Sequence, residues 1–290
     1  MTGGGVLEVV RAGALTTVQD LGRVGHAHLG VPRSGALDVP AHRLANRLVG
    51  NPAGAATLET TLTGCAVRAG RPVTAAVTGA PCAVRIDGRP APWGAAVRVP
   101  AGAVLDVGAA RPGVRSYLAV AGGIDVRPVL GSRSTDLLSG LGPAPLTDGV
   151  RLPVGPVSGP VPWADAVPAP GPPTGELVLP LVLGPRDDWF TPDALRTLAR
   201  RTYRVSSASN RIGLRTEGPP PERARDGELP SEGMVLGAVQ VPPGGGPVVF
   251  LADHPTTGGY PVVGVVPGEA LAAAAQAVPG LAVRFVLLRR

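Results

Sequence analysis

The densest run of groups that could do chemistry lies between two apolar stretches near the end of the sequence. It supplies the carboxylate of Asp253, the imidazole of His254 and the hydroxyls of Thr256, Thr257 and Tyr260. Such groups must hydrogen-bond to one another or face a ligand, because burying an unpaired polar group is costly. A half-buried carboxylate there can act as a general base or bind an amide, so we predict that Asp253 is catalytic. The alternative is that it only caps the following turn.

A second set of polar side chains lies on the Gly-rich loop over residues 16–38. Its members are Gln19, Asp20, Arg23, Arg33, Ser34 and Asp38. Turn chemistry competes with a binding role here, and Asp38 is placed to cap a following helix. Glu59 stands in an alternating strand further on, where a solvent-facing position is the default unless a partner is present.

A third set follows a predicted strand in the last third of the chain. Ser209, Asn210 and Arg211 place a hydroxyl, an amide and a guanidinium on one turn. Those donors are suited to binding a carboxylate or an amide, although a loop without a ligand would also accommodate them. The sequence therefore predicts three polar segments that could share a substrate site.

The composition excludes several catalytic chemistries. All 27 basic residues are arginine, so a Schiff-base lysine, a P-loop lysine and a lysine carrying covalent biotin are excluded. The formal charge of +6 could suggest nucleic acid, but the arginines are scattered and only 3% of residues are aromatic. We therefore expect no nucleic-acid partner.

The sequence has no strong motif for a metal site or for a catalytic nucleophile. The four histidines lack metal-ligand spacing: His26, His28, His42 and His254. No serine lies in a Gly-x-Ser-x-Gly elbow, and the Gly-Gly pair within residues 121–124 lacks the strand and helix of a nucleotide fingerprint. Cys65 and Cys82 could pair, but we expect buried free thiols because a core of this size needs no disulfide.

The elements that must position these groups are mainly strands. The high counts of Gly (42) and Pro (34) around short Val-rich runs predict many strands joined by tight turns, arranged as a barrel or sandwich. Helices are predicted over residues 39–49, 192–202 and 269–277, and a strand over residues 234–241. A Pro-rich connector, residues 142–175, completes an N-terminal β-rich lobe over residues 1–175, which contains the 16–38 loop. Residues 176–290 form the C-terminal lobe.

Taken together, eight motifs resemble those of one family, in order, between residues 6 and 288. They are Thr16–Arg23, Gly30–Asp38, Ala45–Asn51, Leu118–Ile124, Ser209–Gly213, Ser231–Gly233, Gly237–Pro243 and Asp253–Pro261. The family is the biotin-dependent carboxyltransferase family, in its KipA-like or allophanate hydrolase subunit 2-like group, which includes the C subunit of 5-oxoprolinase. The sequence departs from the family pattern at residues 215–217 and at His254.

The resemblance implies a mainly-β fold of cyclophilin-like β-barrel architecture, in two lobes with a few short helices. It also implies one component of an ATP-dependent 5-oxoprolinase, a hydrolase that opens 5-oxoproline to L-glutamate. The implied partners are the KipI-like B subunit of 5-oxoprolinase and its LamB/YcsF-like A subunit. ATP would be used by the complex, at a site that we place outside this chain, and no cofactor would be covalently bound.

The resemblance also implies roles for the polar segments. Asp253 would bind or activate the lactam, and Asn210 and Arg211 would hold its carboxylate or phosphorylated oxygen. The other residues expected to line the same cleft are Gln19, Asp20, Ser34, Ser209, Thr256, Thr257 and Tyr260.

Two other functions are open at this point. One is a carboxyltransferase component that moves carboxyl from biotin on another chain to urea or an amide. The other is a non-catalytic regulator that binds a KipI-like kinase inhibitor. The N-terminus lacks the features of a signal peptide and no apolar run reaches about 18 residues, so we expect a cytoplasmic protein without a membrane segment.

Overall fold

The computed structural model describes residues 5–157, 159–160, 171–225, 227 and 229–288. Strands dominate the described chain, with three short α-helices: α1 (Val39–Leu48), α2 (Pro192–Arg200) and α3 (Gly268–Ala275). Eleven strands come first: β1 (Gly5–Arg11), β2 (Leu15–Gln19), β3 (Thr57–Thr61), β4 (Cys65–Ala69), β5 (Val73–Gly79), β6 (Val84–Ile86), β7 (Arg89–Ala91), β8 (Ala96–Val99), β9 (Val104–Val107), β10 (Arg115–Val120) and β11 (Arg151–Val154). Nine follow: β12 (Glu176–Leu183), β13 (Tyr203–Val205), β14 (Gly213–Glu217), β15 (Glu232–Gly233), β16 (Ala238–Gln240), β17 (Val248–Phe250), β18 (Thr257–Gly258), β19 (Val262–Val265) and β20 (Ala282–Leu288).

The chain divides into two compact units. The first unit contains Met1–Arg23, Ser34–Asp136 and Gly140–Pro172. The second unit contains Val24–Arg33, Leu137–Ser139 and Pro173–Arg290. Within the predicted Pro-rich connector, residues 142–175, Arg151–Val154 forms strand β11 and pairs with β1 instead. Residues 158 and 161–170 of that connector lie outside the described residues.

The first unit is a sandwich of two antiparallel sheets. One sheet has the order β11-β1-β4-β9-β6-β7, and the other has the order β2-β3-β10-β5-β8. Alternate side chains of both sheets meet in one apolar cluster, which includes Val9 and Leu105 from the first sheet and Leu58 and Leu118 from the second. This arrangement is one of the two predicted from the strand spacing.

Helix α1 covers the other face of the five-stranded sheet. Its apolar side, with Leu44, Ala45 and Leu48, packs in one cluster with Tyr117 and Ala119 of β10. Asp38 caps the helix as predicted, because its carboxylate accepts a hydrogen bond from the N–H of Ala41 at 3.0 Å. Strand β10 is therefore buried on both faces, and all six of its residues are buried.

The second unit contains a closed barrel of seven strands in the order β12-β19-β16-β17-β14-β13-β20. β12 and β20 run parallel and close it, with Leu177 opposite Val283, while the other neighbours are antiparallel. Along β12 the buried residues alternate with exposed ones, as a barrel wall requires. The prediction of a mainly-β fold with a barrel and few short helices is confirmed.

Two local predictions need correction. The strand predicted over residues 234–241 is wrong in its first half, because the N–H of Ala238 turns back to the carbonyl of Val235 and only Ala238–Gln240 pair as strand. The loop predicted over residues 16–38 begins as strand, because Leu15–Gln19 forms β2 and pairs with β3. Within the part of the chain that the structure describes, no helix has the length and apolarity to span a membrane.

Candidate functional sites in the two units

A row of polar side chains crosses the five-stranded sheet on the face that α1 covers. The strand register places Thr17 opposite Glu59, Glu59 opposite Tyr117 and Tyr117 opposite Thr78. Directly opposite residues of neighbouring strands point to the same face, and each of the four is at most 1% exposed. The five-stranded sheet therefore has one apolar face, toward the sandwich core, and one face beneath α1 that carries this buried polar row.

Glu59 is the charged member of this row, and the expectation that it faces solvent is wrong. Its Oε2 accepts hydrogen bonds from the phenol of Tyr117 at 2.8 Å and from the N–H of Leu37 at 3.0 Å. Its Oε1 lies 3.7 Å from Nε of Arg115. The phenol of Tyr117 in turn accepts the N–H of Asp38 at 2.8 Å. Burial and the charge of Glu59 raise the pKa of Tyr117 well above its usual value, so the phenol keeps its proton.

Two side chains donate hydrogen bonds to the backbone carbonyl of Thr135. Ser34 donates its hydroxyl to that oxygen at 2.8 Å, and Gln19 donates its Nε2 to the same oxygen at 3.0 Å. Gln19 is anchored further by Thr17, 3.0 Å from Nε2. Among the described residues, neither Oε1 of Gln19 nor Oγ1 of Thr135 has a hydrogen-bond partner, and both atoms are buried. Buried polar atoms without partners are uncommon in folded proteins and mark this cluster as a candidate site.

Asp20, the first residue after β2, holds the segment Ser132–Ser134. Its carboxylate accepts the hydroxyls of Ser132 and Ser134, both at 2.6 Å, and the N–H groups of Arg133 at 2.6 Å and Gly22 at 2.8 Å. Burial alone would raise the pKa of Asp20, but these hydrogen bonds outweigh it and lower the pKa. The carboxylate is therefore charged and occupied by donors of its own unit.

A second buried network begins at His42 on α1. Nδ1 of His42 lies 3.0 Å from the hydroxyl of Thr57, and Asn46 lies 3.3 Å from Nε2. Asn51 donates to Asn46 at 3.0 Å and accepts the N–H of Gly122 at 2.8 Å. Burial lowers the pKa of His42 to about 4, so the imidazole is neutral at pH 7. The network ties the helix to β3 and to the turn that follows β10.

In the second unit, Arg211 and Asp253 form a fully buried ion pair. Nε of Arg211 donates to Oδ2 at 2.9 Å and Nη2 donates to Oδ1 at 3.0 Å, the two-pronged geometry in which guanidinium and carboxylate match. The side chains are 1% and 0% exposed. Oδ2 also accepts the N–H of Leu137 at 3.1 Å. Both predicted site residues are thus brought together, and each neutralises the charge of the other.

The turn that carries Arg211 is stabilised by its own polar side chains. Oδ1 of Asn210 accepts the N–H groups of Ile212 at 2.9 Å and Gly213 at 3.3 Å. Ser209 bonds to the backbone of Arg215 in both directions, with its hydroxyl 3.0 Å from the N–H and 3.2 Å from the carbonyl. Asn210 itself is exposed and Ser209 is half-buried.

The segment after Asp253 forms one strand of a short ribbon. β18 pairs with β15, with Thr257 opposite Gly233, and the N–H of Met234 donates to the carbonyl of Thr256 at 2.9 Å. Thr257 and Tyr260 are exposed, while Thr256 is half-buried. The ribbon therefore presents hydroxyl groups on the surface of the second unit.

Two further side chains stabilise this region. Glu232 on β15 accepts Nε of Arg186 at 2.9 Å, and this bond lowers the pKa of Glu232. His254 stacks on Phe250 with ring centroids 6.0 Å apart and planes 21° apart. Its Nδ1 lies 2.7 Å from the carbonyl of Pro255, so Nδ1 carries the proton, because a carbonyl can only accept. His254, where the sequence departs from the family pattern, thus packs against β17.

The predicted site residues fall into two groups. Gln19, Asp20 and Ser34 lie in the first unit. The remaining seven lie in the second: Ser209, Asn210, Arg211, Asp253, Thr256, Thr257 and Tyr260. The predicted common cleft and the substrate contacts stay predictions. Sequence reasoning missed Ser132, Ser134 and Thr135, although Gly131–Asp136 is as rich in polar side chains as the segments it singled out.

Comparison with known proteins gives consistent matches. The family model "Carboxyltransferase domain, subdomain A and B" matches residues 29–287. The chain is 41% identical to the C subunit of 5-oxoprolinase from Escherichia coli K12, over 97% of this chain and 91% of that protein. The crystal structure of TTHA0988 superposes with a TM-score of 0.88 at 40% identity, over 99% of this chain and 56% of that one. The Kluyveromyces lactis urea carboxylase superposes with a TM-score of 0.91 at 30% identity, over 100% of this chain and 28% of that one.

These matches cover nearly the whole chain and agree with its barrel and its sandwich. The family predicted from the eight ordered motifs is confirmed. The chain belongs to the carboxyltransferase domain family, whose members include the C subunit of 5-oxoprolinase and the carboxyltransferase part of urea carboxylase.

Proposed function

We propose that this chain is one component of an ATP-dependent 5-oxoprolinase complex that opens 5-oxoproline to L-glutamate. The observation that carries the proposal is the match to the C subunit of 5-oxoprolinase, which spans 97% of this chain and 91% of that protein at 41% identity. A match from end to end indicates that the two chains contribute the same part to an assembly. The proposed partners are a KipI-like protein and a LamB/YcsF-like protein, and the complex uses ATP.

In the second unit, the buried pair of Arg211 and Asp253 fixes the turn that carries the exposed Asn210. Because Arg211 and Leu137 already donate to Asp253, we assign Asp253 to orienting Arg211. Direct action of Asp253 on the lactam stays a prediction.

The first unit supplies groups for the amide. Oε1 of Gln19 only accepts hydrogen bonds and lacks a donor among the described residues. The N–H of a lactam is such a donor. The hydroxyl of Ser34 donates to the same Thr135 carbonyl as Nε2 of Gln19, and Asp20 holds the segment that precedes Thr135. We propose that this cluster recognises the neutral amide rather than an anion.

Carboxyl transfer to urea is the second candidate. The structural match to urea carboxylase favours it, since that enzyme's chain superposes over the whole of this one. That match is weaker in sequence, at 30% identity, and covers 28% of the larger chain. Because this chain has no lysine, biotin would have to arrive on another protein.

The test is reconstitution of the complex. The chain is co-purified with KipI-like and LamB/YcsF-like proteins from the same source, and glutamate release from 5-oxoproline is measured with and without ATP. We expect release that needs ATP and is lost when this chain is omitted. Absence of release from the complete complex would overturn the proposal, and transfer of the carboxyl group from carboxybiotin to urea, giving free biotin and carboxylated urea, would support the second candidate.

A matched pair of variants tests the amide cluster in the same assay. Gln19→Leu removes both the acceptor and the donor of the side chain, and we expect KM for 5-oxoproline to rise by about tenfold, the effect of about 1.4 kcal/mol. Gln19→Glu keeps an acceptor oxygen but loses the N–H donors to Thr17 and Thr135. A smaller change in KM for the second variant would assign the effect to the acceptor oxygen.

A further inference from the structure

Two side chains of the five-stranded sheet, Glu59 and Tyr117, accept hydrogen bonds from the backbone of the loop between Ser34 and Asp38. Consecutive N–H groups, those of Leu37 and Asp38, donate to Glu59 and to the phenol of Tyr117. Tyr117 also donates to Glu59, so carboxylate and phenol form one connected unit. Hydrogen bonds to a carboxylate are stronger than those between neutral groups, and a connected pair strengthens both.

The other end of the loop has little freedom. Gly35 has a φ of +97°, and a Cβ there would lie 2.8 Å from the backbone nitrogen of Gly22. Ser34 has a φ of 54°. This backbone conformation is unfavourable for any residue that carries a side chain. The surrounding contacts must therefore hold Ser34 in place. Its hydroxyl then donates to the carbonyl of Thr135, within the cluster that contains Gln19.

We propose that Glu59 and Tyr117 are positioning residues that hold the Ser34 hydroxyl in the amide-recognition cluster. This inference rests on the proposed function, because it takes Ser34 to contact the substrate. Glu59 and Tyr117 accept their hydrogen bonds from the loop backbone, at Leu37 and Asp38, so they act on Ser34 through the loop. Glu59 and Tyr117 thus serve the site in addition to the fold.

A double-mutant cycle tests this coupling in the reconstituted complex. Tyr117→Phe removes the acceptor of the Asp38 N–H and the donor to Glu59 without changing the size of the ring. We expect kcat/KM for 5-oxoproline to fall by about tenfold, which corresponds to about 1.4 kcal/mol. In a Ser34→Ala background we expect the same substitution to lower kcat/KM by less than about twofold, because residues that act through one another are not additive.

Thr78→Val provides the matched control. Thr78 belongs to the same buried row, and its hydroxyl donates to the carbonyl of Ala41 on α1 at 2.7 Å. The substitution removes one buried hydrogen bond of the same unit, so it reports what loss of stability alone does to activity. We expect it to leave kcat/KM within about twofold of the unmodified complex.

Glu59→Gln and Glu59→Ala cover the case in which Tyr117→Phe does not fold. Gln keeps an acceptor for Leu37 and Tyr117, so we expect it to keep most of the activity that Ala loses. If the substitution at Tyr117 or Glu59 lowers kcat/KM by the same factor with Ser34 present as in the Ser34→Ala background, the inference is overturned. An unmodified complex that releases no glutamate would overturn the proposed function instead. Hydrogen exchange at the amides of Leu37 and Asp38 would still show whether Tyr117 restrains the loop.

Discussion

The guanidinium of Arg211 and the carboxylate of Asp253 hold each other through two hydrogen bonds, at 2.9 and 3.0 Å, in a part of the second unit that water does not reach. The N–H of Asp253 also donates to the carbonyl of Arg211 at 3.1 Å. The Ser-Asn-Arg turn and the Asp-His-Pro segment are therefore joined by both backbone and side chains. A substitution at either residue changes the support of both segments.

Breaking this pair should destabilise the protein strongly. Asp253→Ala leaves a buried guanidinium without its carboxylate, and we expect the free energy of unfolding to fall by about 3–5 kcal/mol. The measurement is urea denaturation followed by circular dichroism. An Asp253→Ala protein as stable as the unmodified one would contradict the role that we assign to the pair.

The control is an exposed ion pair of the same type. Asp193 and Arg196 pair on α2 with side chains 81% and 56% exposed. Asp193→Ala should change the free energy of unfolding by less than about 1 kcal/mol, because water screens the pair. If Asp253→Ala lowers stability and Asp193→Ala does not, a loss of activity in Asp253→Ala reflects a weakened fold as well as any direct role of Asp253 in catalysis.

Acid should destabilise the protein through His42. Burial lowers the pKa of His42 to about 4 in the folded protein, against about 6.5 in the unfolded chain. The unfolded chain therefore binds a proton first, and this contribution to stability is present above pH 6.5 and lost as the pH falls toward 4. We expect a loss of up to about 3 kcal/mol over this range, measured by urea denaturation at several pH values. In His42→Gln that part of the pH dependence should disappear.

Local features of the sequence were predictable because their causes are local. Asp38 lies three residues before the N–H that it caps, so the sequence alone indicates the start of α1. Glu59 was misjudged because its partner Tyr117 is 58 residues away and becomes a neighbour only through the pairing of β3 with β10. A charge in an alternating strand faces solvent only if nothing covers that face.

The same distinction applies to the candidate sites. Arg211 and Asp253 were each singled out, but their pairing over 42 residues depends on the barrel. Asp20 was predicted to bind substrate, whereas its carboxylate accepts donors from Ser132 and Ser134, more than 110 residues away. Residue types indicate where chemistry is possible, whereas long-range contacts of the folded chain determine which of these groups already bond to each other.

Removing an unpaired hydroxyl should stabilise the first unit. Oγ1 of Thr135 is buried without a partner among the described residues, so Thr135→Val replaces it with a methyl group of similar size. We expect the free energy of unfolding to rise by about 1 kcal/mol. Thr78→Val, which removes a hydroxyl that is hydrogen-bonded at 2.7 Å, should lower it by a similar amount. Two losses of equal size would show that Thr135 has a partner after all.

The two free cysteines should differ sharply in reactivity. Cys65 is fully buried, and burial raises the pKa of its thiol to about 12, while Cys82 is only half-buried. Since the thiolate is the reactive form, iodoacetamide at pH 8 should modify Cys65 at least about 1,000-fold more slowly than an exposed thiol. Burial also raises the pKa of Cys82, but its partial exposure should make it the faster of the two. Mass spectrometry of peptides after timed labelling measures both rates. Equal rates, or a loss of two hydrogens that indicates a disulfide, would contradict the buried free thiol, and labelling in urea should remove the difference.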